Sequence, residues 1–170
     1  MGTEIERKFL LTSDAWRAEV SRSRRMVQGY LIAASAVTSG TSKSSVRVRV
    51  SGDEAWLNIK SSTLGVERQE YEYAVPLADG EAMLAQLCDG VVEKIRHYVA
   101  RGDHEFEIDE FFGANDGLVV AEVELDAADE AFERPAWLGR DVSHLPRYYN
   151  LNLIGRPFSA WTAAEREGSD

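Results

Sequence analysis

A single cysteine, Cys88, leaves no partner for an internal disulfide and fits a reducing compartment. It lies in a run with helical spacing, where a buried structural thiol is the expected role. The chain has only four prolines and no low-complexity tract, so no linker is read within it. Nowhere do roughly 20 apolar residues run together, as a membrane-spanning helix requires. No apolar leader precedes Glu4-Ile5-Glu6, and the expectation is a cytoplasmic protein with no membrane partner. The three histidines, His97, His104 and His144, are scattered, and no Ser-His-Asp or Cys-His arrangement is seen. Basic residues are also in deficit: 19 Lys and Arg face 29 Asp and Glu, for a net charge of −10. That balance argues against a nucleic-acid partner, because phosphate backbones reward a basic surface. The totals predict one domain over residues 1–170, with a C-terminal helical segment at about 145–167.

What the chain does have is period-two alternation. Side chains two apart on a strand share a face, so Glu4, Glu6 and Lys8 point the same way. Val46-Arg47-Val48-Arg49-Val50 puts two arginines on one face, and Trp56-Leu57-Asn58-Ile59-Lys60 follows across a turn-rich loop. Arg68 to Tyr73 sets Arg68, Glu70 and Glu72 against Gln69, Tyr71 and Tyr73. Val92 to Val99 carries Lys94 and Arg96, His104 to Phe112 carries Glu107 and Asp109, and Val119 to Leu125 carries Glu122 and Glu124. Gln28-Gly29-Tyr30-Leu31 reads as a further strand, paired near the first. Helices are predicted over Thr12–Arg24, Asp79–Cys88, Arg147–Leu153 and Ser159–Glu167. The Ala-, Ser-, Thr- and Gly-rich residues 33–45 read as a mobile loop.

A sheet with one wet face also alternates polar and apolar residues. Here, however, the polar positions are nearly always full charges, and they sort by sign along each strand. Like neighbours on a solvated sheet cost a few tenths of a kcal/mol each. A closed barrel of about eight strands with its charged faces inward explains the pattern better. Burying so many ions for stability alone makes poor sense, since desolvation costs several kcal/mol per ion. A ligand that uses both signs resolves this: an elongated polyanion takes the Lys and Arg residues, and divalent cations take the carboxylates. The apolar faces then point outward beneath helices.

With these residues in view, the chain resembles the CYTH superfamily, the triphosphate tunnel metalloenzymes. Glu4, Glu6 and Lys8 match its Glu-x-Glu-x-Lys signature. Gln28-Gly29-Tyr30-Leu31, Val46-Arg47-Val48-Arg49, Leu57-Asn58-Ile59-Lys60 and Arg68-Gln69-Glu70-Tyr71-Glu72-Tyr73 follow in the family's order. Glu93-Lys94-Ile95-Arg96, Phe106-Glu107-Ile108-Asp109 and Ala121-Glu122-Val123-Glu124-Leu125 continue it, and Pro146-Arg147-Tyr148-Tyr149-Asn150 resembles the tail of compact bacterial members. The resemblance implies an α+β fold: an eight-stranded antiparallel closed β-barrel, or tunnel, with a charged interior and helices packed outside. It implies metal-dependent hydrolysis of inorganic triphosphate (tripolyphosphate) to pyrophosphate and orthophosphate, with Mg²⁺ or Mn²⁺, two ions per site.

On that reading Glu4, Glu6, Glu122 and Glu124 ligate the ion that bridges the phosphates, since hard cations prefer oxygen ligands. Glu70, Glu72, Glu107 and Asp109 are candidates for a second ion or for orienting its water, and sequence does not choose among them. Lys8, Arg47, Arg49, Lys60, Arg68, Lys94 and Arg96 cradle the phosphate oxygens, the arginines as bidentate forks. Glu4, Glu6, Lys8, Glu122 and Glu124 are the catalytic set. The competing readings are a class IV-like adenylyl cyclase, a thiamine or nucleoside triphosphatase, and a non-catalytic polyphosphate-binding module. The expected partner is the small-molecule triphosphate itself.

Overall fold

Alternation becomes β-structure nearly everywhere the sequence shows it. A computed structural model describes residues 2–62 and 67–170, the side chains of residues 2–4 and 67–68 excepted. Its strands are β1 (Gly2–Leu11), β2 (Arg22–Tyr30), β3 (Ser44–Ser51), β4 (Glu54–Ser61) and β5 (Glu67–Val75). They continue with β6 (Val91–Arg101), β7 (His104–Phe111), β8 (Val119–Leu125) and β9 (Leu138–Asp141). All belong to one antiparallel sheet in the order β5-β4-β3-β2-β6-β7-β8-β1-β9, and β1 pairs in addition with β5, setting Glu4 opposite Arg68.

The fold is therefore α+β with one large antiparallel sheet and few helices, and several sequence expectations need correcting. Among the described residues the sheet has nine strands rather than eight, and its terminal strands β5 and β9 do not pair to close it into the expected barrel. The extra strand, Leu138-Gly139-Arg140-Asp141, is too short to show a period; Gly139 sits where a Cβ would meet the Leu10 carbonyl oxygen at 2.8 Å. No helix spans Thr12–Arg24. A 3₁₀ turn over Ala15–Glu19 gives way at extended Val20 to β2, in which Arg22 and Arg24 alternate with Ser23 and Arg25. That strand lies between β3 and β6 rather than beside β1. Residues 33–45 are not a bare loop: Ala34–Thr38 forms a short helix, α1, which Gly40 (φ 76°) follows in a left-handed conformation.

The outer face of β1, β6, β7 and β8 carries Ile5, Phe9, Val99, Phe106, Ile108, Ala121 and Val123. Trp16 from the 3₁₀ turn and Phe132 and Trp137 from the β8–β9 connection cover it, with the Phe106 and Trp137 rings edge-on at 5.3 Å. Each large side chain buried there contributes about 1.5–3 kcal/mol. Helix α2 (Leu77–Gln86) packs on the same outer side of β3 and β4. It tolerates a mid-helix glycine because a Cβ on Gly80 would come within 2.6 Å of the Ala55 methyl.

The C-terminal segment departs from the expectation that all helices lie outside. Val92 is the cross-strand partner of Gln28, Phe111 of Lys94 and Val120 of Asp109, so all three share the face of the charges. Tyr148, Leu153 of α3 (Asn150–Gly155) and Trp161 pack onto them, with the Tyr148 and Trp161 rings 4.9 Å apart. The last helix, α4 (Ala163–Arg166), starts with a capping box between Thr162 and Glu165. The inner face thus ends on an apolar floor. Among the described residues no helix is long and apolar enough to cross a membrane.

The edge strand β9 is pinned by Arg7 on Asp141, whose carboxylate also accepts from the Ser143 backbone N–H at 2.9 Å. Burial pushes the Asp141 pKa up, but Ser143 and Arg7 more than offset this and hold it below the usual value. A depressed carboxylate stabilises the fold above its unfolded pKa of about 3.9 and loses that contribution as pH falls through the lower folded value. Asp141→Asn is expected to cost about 1 kcal/mol at pH 7. In denaturant titrations the gap from wild type should narrow as the pH falls through the carboxylate range and below it; a gap that stays constant across that range would show the loss is not electrostatic.

Candidate active site

The charged face is enclosed. Lys94 is 1% exposed, Asp109 0%, Lys8 3% and Glu122 4%. Glu122, on β8, directly opposes Lys8 of β1 and Glu107 of β7, and Arg96 of β6 opposes Asp109. Lys8 donates to Glu6 at 2.5 Å and to one oxygen of Glu122, while Arg96 donates to the other at 2.8 Å. Arg96 also grips both oxygens of Asp109 at 2.7 Å and reaches Glu107, and Lys94 bonds Asp109. Sequence placed these residues on separate strands; the register brings Glu6, Lys8, Lys94, Arg96, Glu107, Asp109 and Glu122 into one network.

A second group lies on β3, β4 and β5. Arg49 donates to Glu72 at 3.2 Å, Asn58 bonds Glu70 and reaches Glu72 at 3.3 Å, and Lys60 lies 3.8 Å from Glu70. Burial lowers the Arg49 pKa, and Arg47 and then Arg96 add to the effect. Glu124 opposes Glu6 in the β1–β8 register but is exposed. The backbones of Glu4 and Arg68 are cross-strand partners, and their side chains lie outside the described residues.

Electrostatics sharpen the division of labour. Burial works against charge on Lys8, yet Glu122 and Glu6 outweigh it and raise its pKa. Lys94 goes the other way: burial, then repulsion from Arg96, bring it down to about 8 despite Asp109 and Glu122. Burial disfavours the charge on Glu122, but Lys8, Arg96 and Lys94 hold it ionised well below the usual carboxylate range. Glu107 is raised, chiefly by burial, with Glu122 and Asp109 adding to the rise against Arg96. Among the described residues no three Asp, Glu, His or Cys side chains converge to ligate a metal unaided. The donors that do face inward are oxygens, with Glu6 directly opposite Glu124. Such a set suits a hard divalent ion that fills its other positions with water and phosphate.

Several lining residues escaped the sequence reading. Gln28 is fully buried on this face, between Arg49 and Val92 in register, and neither atom of its amide has a partner among the described residues. The buried Nε atoms of Arg47 and Arg49 likewise have no partner among the described residues. Leaving a buried polar group unmatched costs about 1–3 kcal/mol, so these donors suit an anion with many acceptor oxygens. Arg22 and Arg24 also face inward, opposite Tyr98 and Arg96. The period-two spacing Arg22-Ser23-Arg24-Arg25 was the signal for them, masked by the helical spacing of Trp16 and Val20.

The arrangement lines one face of the sheet with buried cations and carboxylates together, and the chain matches the CYTH domain over residues 2–149; it belongs to that family. Over 159 residues it is 38% identical to a protein of Acetivibrio thermocellus named inorganic triphosphatase, covering 93% of this chain and 97% of that protein. It is 34% identical to the inorganic triphosphatase of Nitrosomonas europaea, covering 89% and 96%. Among solved structures it is similar to the inorganic triphosphatase NE1496, with a TM-score of 0.62 at 33% identity over 91% of this chain and 95% of that one. The PH1819 protein of Pyrococcus horikoshii, at 19% identity and a TM-score of 0.55 over 71% and 76%, shares the fold.

Two measurements probe this face. Gln28→Leu removes an unmatched buried amide, so the variant should unfold at higher denaturant while its KM for tripolyphosphate rises about tenfold. Loss of stability with unchanged KM would mean that Gln28 is structural. A bound polyanion returns Lys94 towards its ordinary pKa, so binding above about pH 8 should take up a proton. Calorimetry in buffers of different ionisation enthalpy detects that uptake, and Lys94→Met should abolish it.

Proposed function

We propose that the chain hydrolyses inorganic triphosphate to pyrophosphate and orthophosphate inside a tunnel formed by the sheet. The observation that carries this is the enclosed row of cations Lys8, Lys94, Arg96, Arg47 and Arg49 beside unmatched buried donors, in a chain whose relatives are named inorganic triphosphatases. Pairing of β1 with β5 as well as β8 supports closure of the sheet around them. Leu153 and Trp161 pack in the same core as Val92 and Val120, which supports one domain over 1–170.

Phosphoryl transfer needs positioning and charge neutralisation more than covalent chemistry. Lys8, Arg47, Arg49, Lys60, Arg68, Lys94 and Arg96 hold the phosphate oxygens. Triphosphatases of this family are metal-dependent as a class, and Glu4, Glu6, Glu122 and Glu124 are the ligands we assign to Mg²⁺ or Mn²⁺. When bound, the ion supplies a water of lowered pKa and neutralises phosphate charge. Both oxygens of Glu122 also anchor cations, Lys8 and Arg96. Of the four candidates for a second ion, Asp109 is spent on Lys94 and Arg96, and Glu70 and Glu72 serve Asn58, Lys60 and Arg49. Glu107, with a third of its side chain exposed and a raised pKa, is the best placed to orient the attacking water. Water oxygen bonds to the terminal phosphorus, the bridging P–O bond breaks, and pyrophosphate leaves with its electron pair. The acidic net charge supports a small-molecule substrate rather than nucleic acid, and the single cysteine fits a cytoplasmic setting.

Phosphate release from tripolyphosphate, ATP and thiamine triphosphate, with Mg²⁺ or Mn²⁺ and with chelator, tests the reading. Tripolyphosphate should be cleaved fastest and only with metal. Glu6→Ala should lose at least about 100-fold in kcat/KM, the scale of a charge-stabilising group. Wild-type turnover by that variant sinks the ligand assignment, and preferential cleavage of ATP sinks the substrate assignment.

A further inference from the structure

The two fully buried lysines of the charged face each lie against an aromatic ring as well as against carboxylates. Lys94 has its Nζ 5.5 Å from the ring centroid of Phe111, its cross-strand partner. Lys8 has its Nζ at the same 5.5 Å from the ring centroid of Tyr149, which belongs to the C-terminal segment rather than to the sheet. An ammonium within about 6 Å of an aromatic centroid is attracted by the negative ring face, and more strongly where water is excluded.

Local backbone geometry brings Tyr149 to Lys8. Pro146 opens a 3₁₀ turn over Pro146–Tyr148, and Tyr149 follows in an extended conformation (φ −76°, ψ 135°) before α3 starts at Asn150. That break separates the two neighbouring rings. Tyr148 enters the apolar floor, its hydroxyl donating to the Glu165 carbonyl at 2.9 Å, while Tyr149 goes to Lys8. The Tyr149 hydroxyl donates to the Ser143 carbonyl at 2.6 Å. Ser143 in turn accepts from the Lys8 backbone N–H at 2.9 Å through its hydroxyl, and the Lys8 carbonyl accepts from the Val142 N–H at 2.9 Å. Lys8 is therefore held at both ends, its main chain by Val142 and Ser143 and its ammonium by a ring anchored on Ser143.

Glu6 and Glu122 also hold that ammonium. Both are ligands proposed above for the divalent ion, so their hold on Lys8 is shared once the site is loaded. An aromatic face ligates no hard cation, and its attraction for Lys8 does not depend on the metal. We propose that Tyr149 is a positioning residue for Lys8: its ring keeps the ammonium aimed at the phosphate oxygens while the carboxylates serve the metal, and its hydroxyl ties the ring to the Lys8 main chain through Ser143. The proposal deepens the triphosphatase reading and rests on it for what Lys8 contacts. Tyr149 acts through the lysine, outside the reacting atoms.

The test measures kcat and KM for tripolyphosphate, and the calorimetric affinity of the metal-free protein for it, in wild type, Tyr149→Leu, Tyr149→Phe, Lys8→Met and the Tyr149→Leu/Lys8→Met pair. Tyr149→Leu is expected to raise KM and weaken the metal-free affinity about tenfold, as loss of one buried cation–π contact implies, with kcat little changed. Tyr149→Phe, which keeps the ring, should restore most of that loss. In the Lys8→Met background Tyr149→Leu should weaken binding no further, because the ring has no ammonium to hold. A fall in kcat with KM and affinity unchanged is the mark of lost folded protein and overturns the proposal. Equal losses in the Phe and Leu variants, or additive losses in the pair, overturn it too. If Tyr149→Leu does not fold, the wild-type NMR spectrum decides: the ring should displace the Lys8 ε-methylene protons upfield, and ordinary lysine shifts overturn the contact. Should wild type fail to cleave tripolyphosphate, the triphosphatase reading falls, while that spectrum and the metal-free affinities still decide whether Tyr149 holds Lys8.

Discussion

The contact on which the rest depends is the buried chain of ions from Lys8 through Glu122 and Arg96 to Asp109 and Lys94. Taking each of these groups out of water costs several kcal/mol, and their mutual attraction repays it only when the geometry is good. Four strands must therefore hold a strict register, because β1, β6, β7 and β8 each supply part of the chain. The outer cluster around Phe9 and Phe106 provides the apolar burial that fixes those strands. Tyr148 and Trp161 of the C-terminal segment pack with Val92, Phe111 and Val120 at the apolar end of the charged face.

Chemistry follows from how that chain is filled. Both oxygens of Glu122 and of Asp109 accept from cations, which holds Lys8, Arg96 and Lys94 in place. Arg47 and Arg49, by contrast, keep a buried donor unmatched, and Gln28 keeps a whole amide. A site in which some cations are held rigidly and others await acceptors is preorganised for an anion, and little rearrangement is required when one enters.

Much of this was legible from residue pattern. Alternating charges in β3 to β8 exposed the inner face, and the resemblance to CYTH proteins set the succession of motifs along the chain, though not the place of β2 in the sheet. The failures share a cause. Trp16 and Val20, four apart, imitate a helix, and that reading swallowed Arg22 and Arg24, which belong to a strand. Four residues of β9 are too few for any period to show. Gln28 is an ordinary polar residue by sequence, and only its complete burial without a partner marks it. No one-dimensional pattern reveals that Phe111 and Val120 point inward to a floor, because an apolar residue on a charged face looks like an interruption of the alternation.

The place of β1 at the junction of the sheet has a consequence for how the molecule comes together. Its partners are β5, β8 and β9, beginning at Glu67, Val119 and Leu138, so it has no nearby strand to pair with. Contacts at such sequence separation carry a high closure entropy and form slowly. In that interval β1 exposes backbone edges that invite pairing with other chains. Glu4, Glu6, Arg7 and Lys8 place charges on it, the usual protection against edge-to-edge aggregation. The charges that alternate along β1 thus serve first as guards of an unpaired strand.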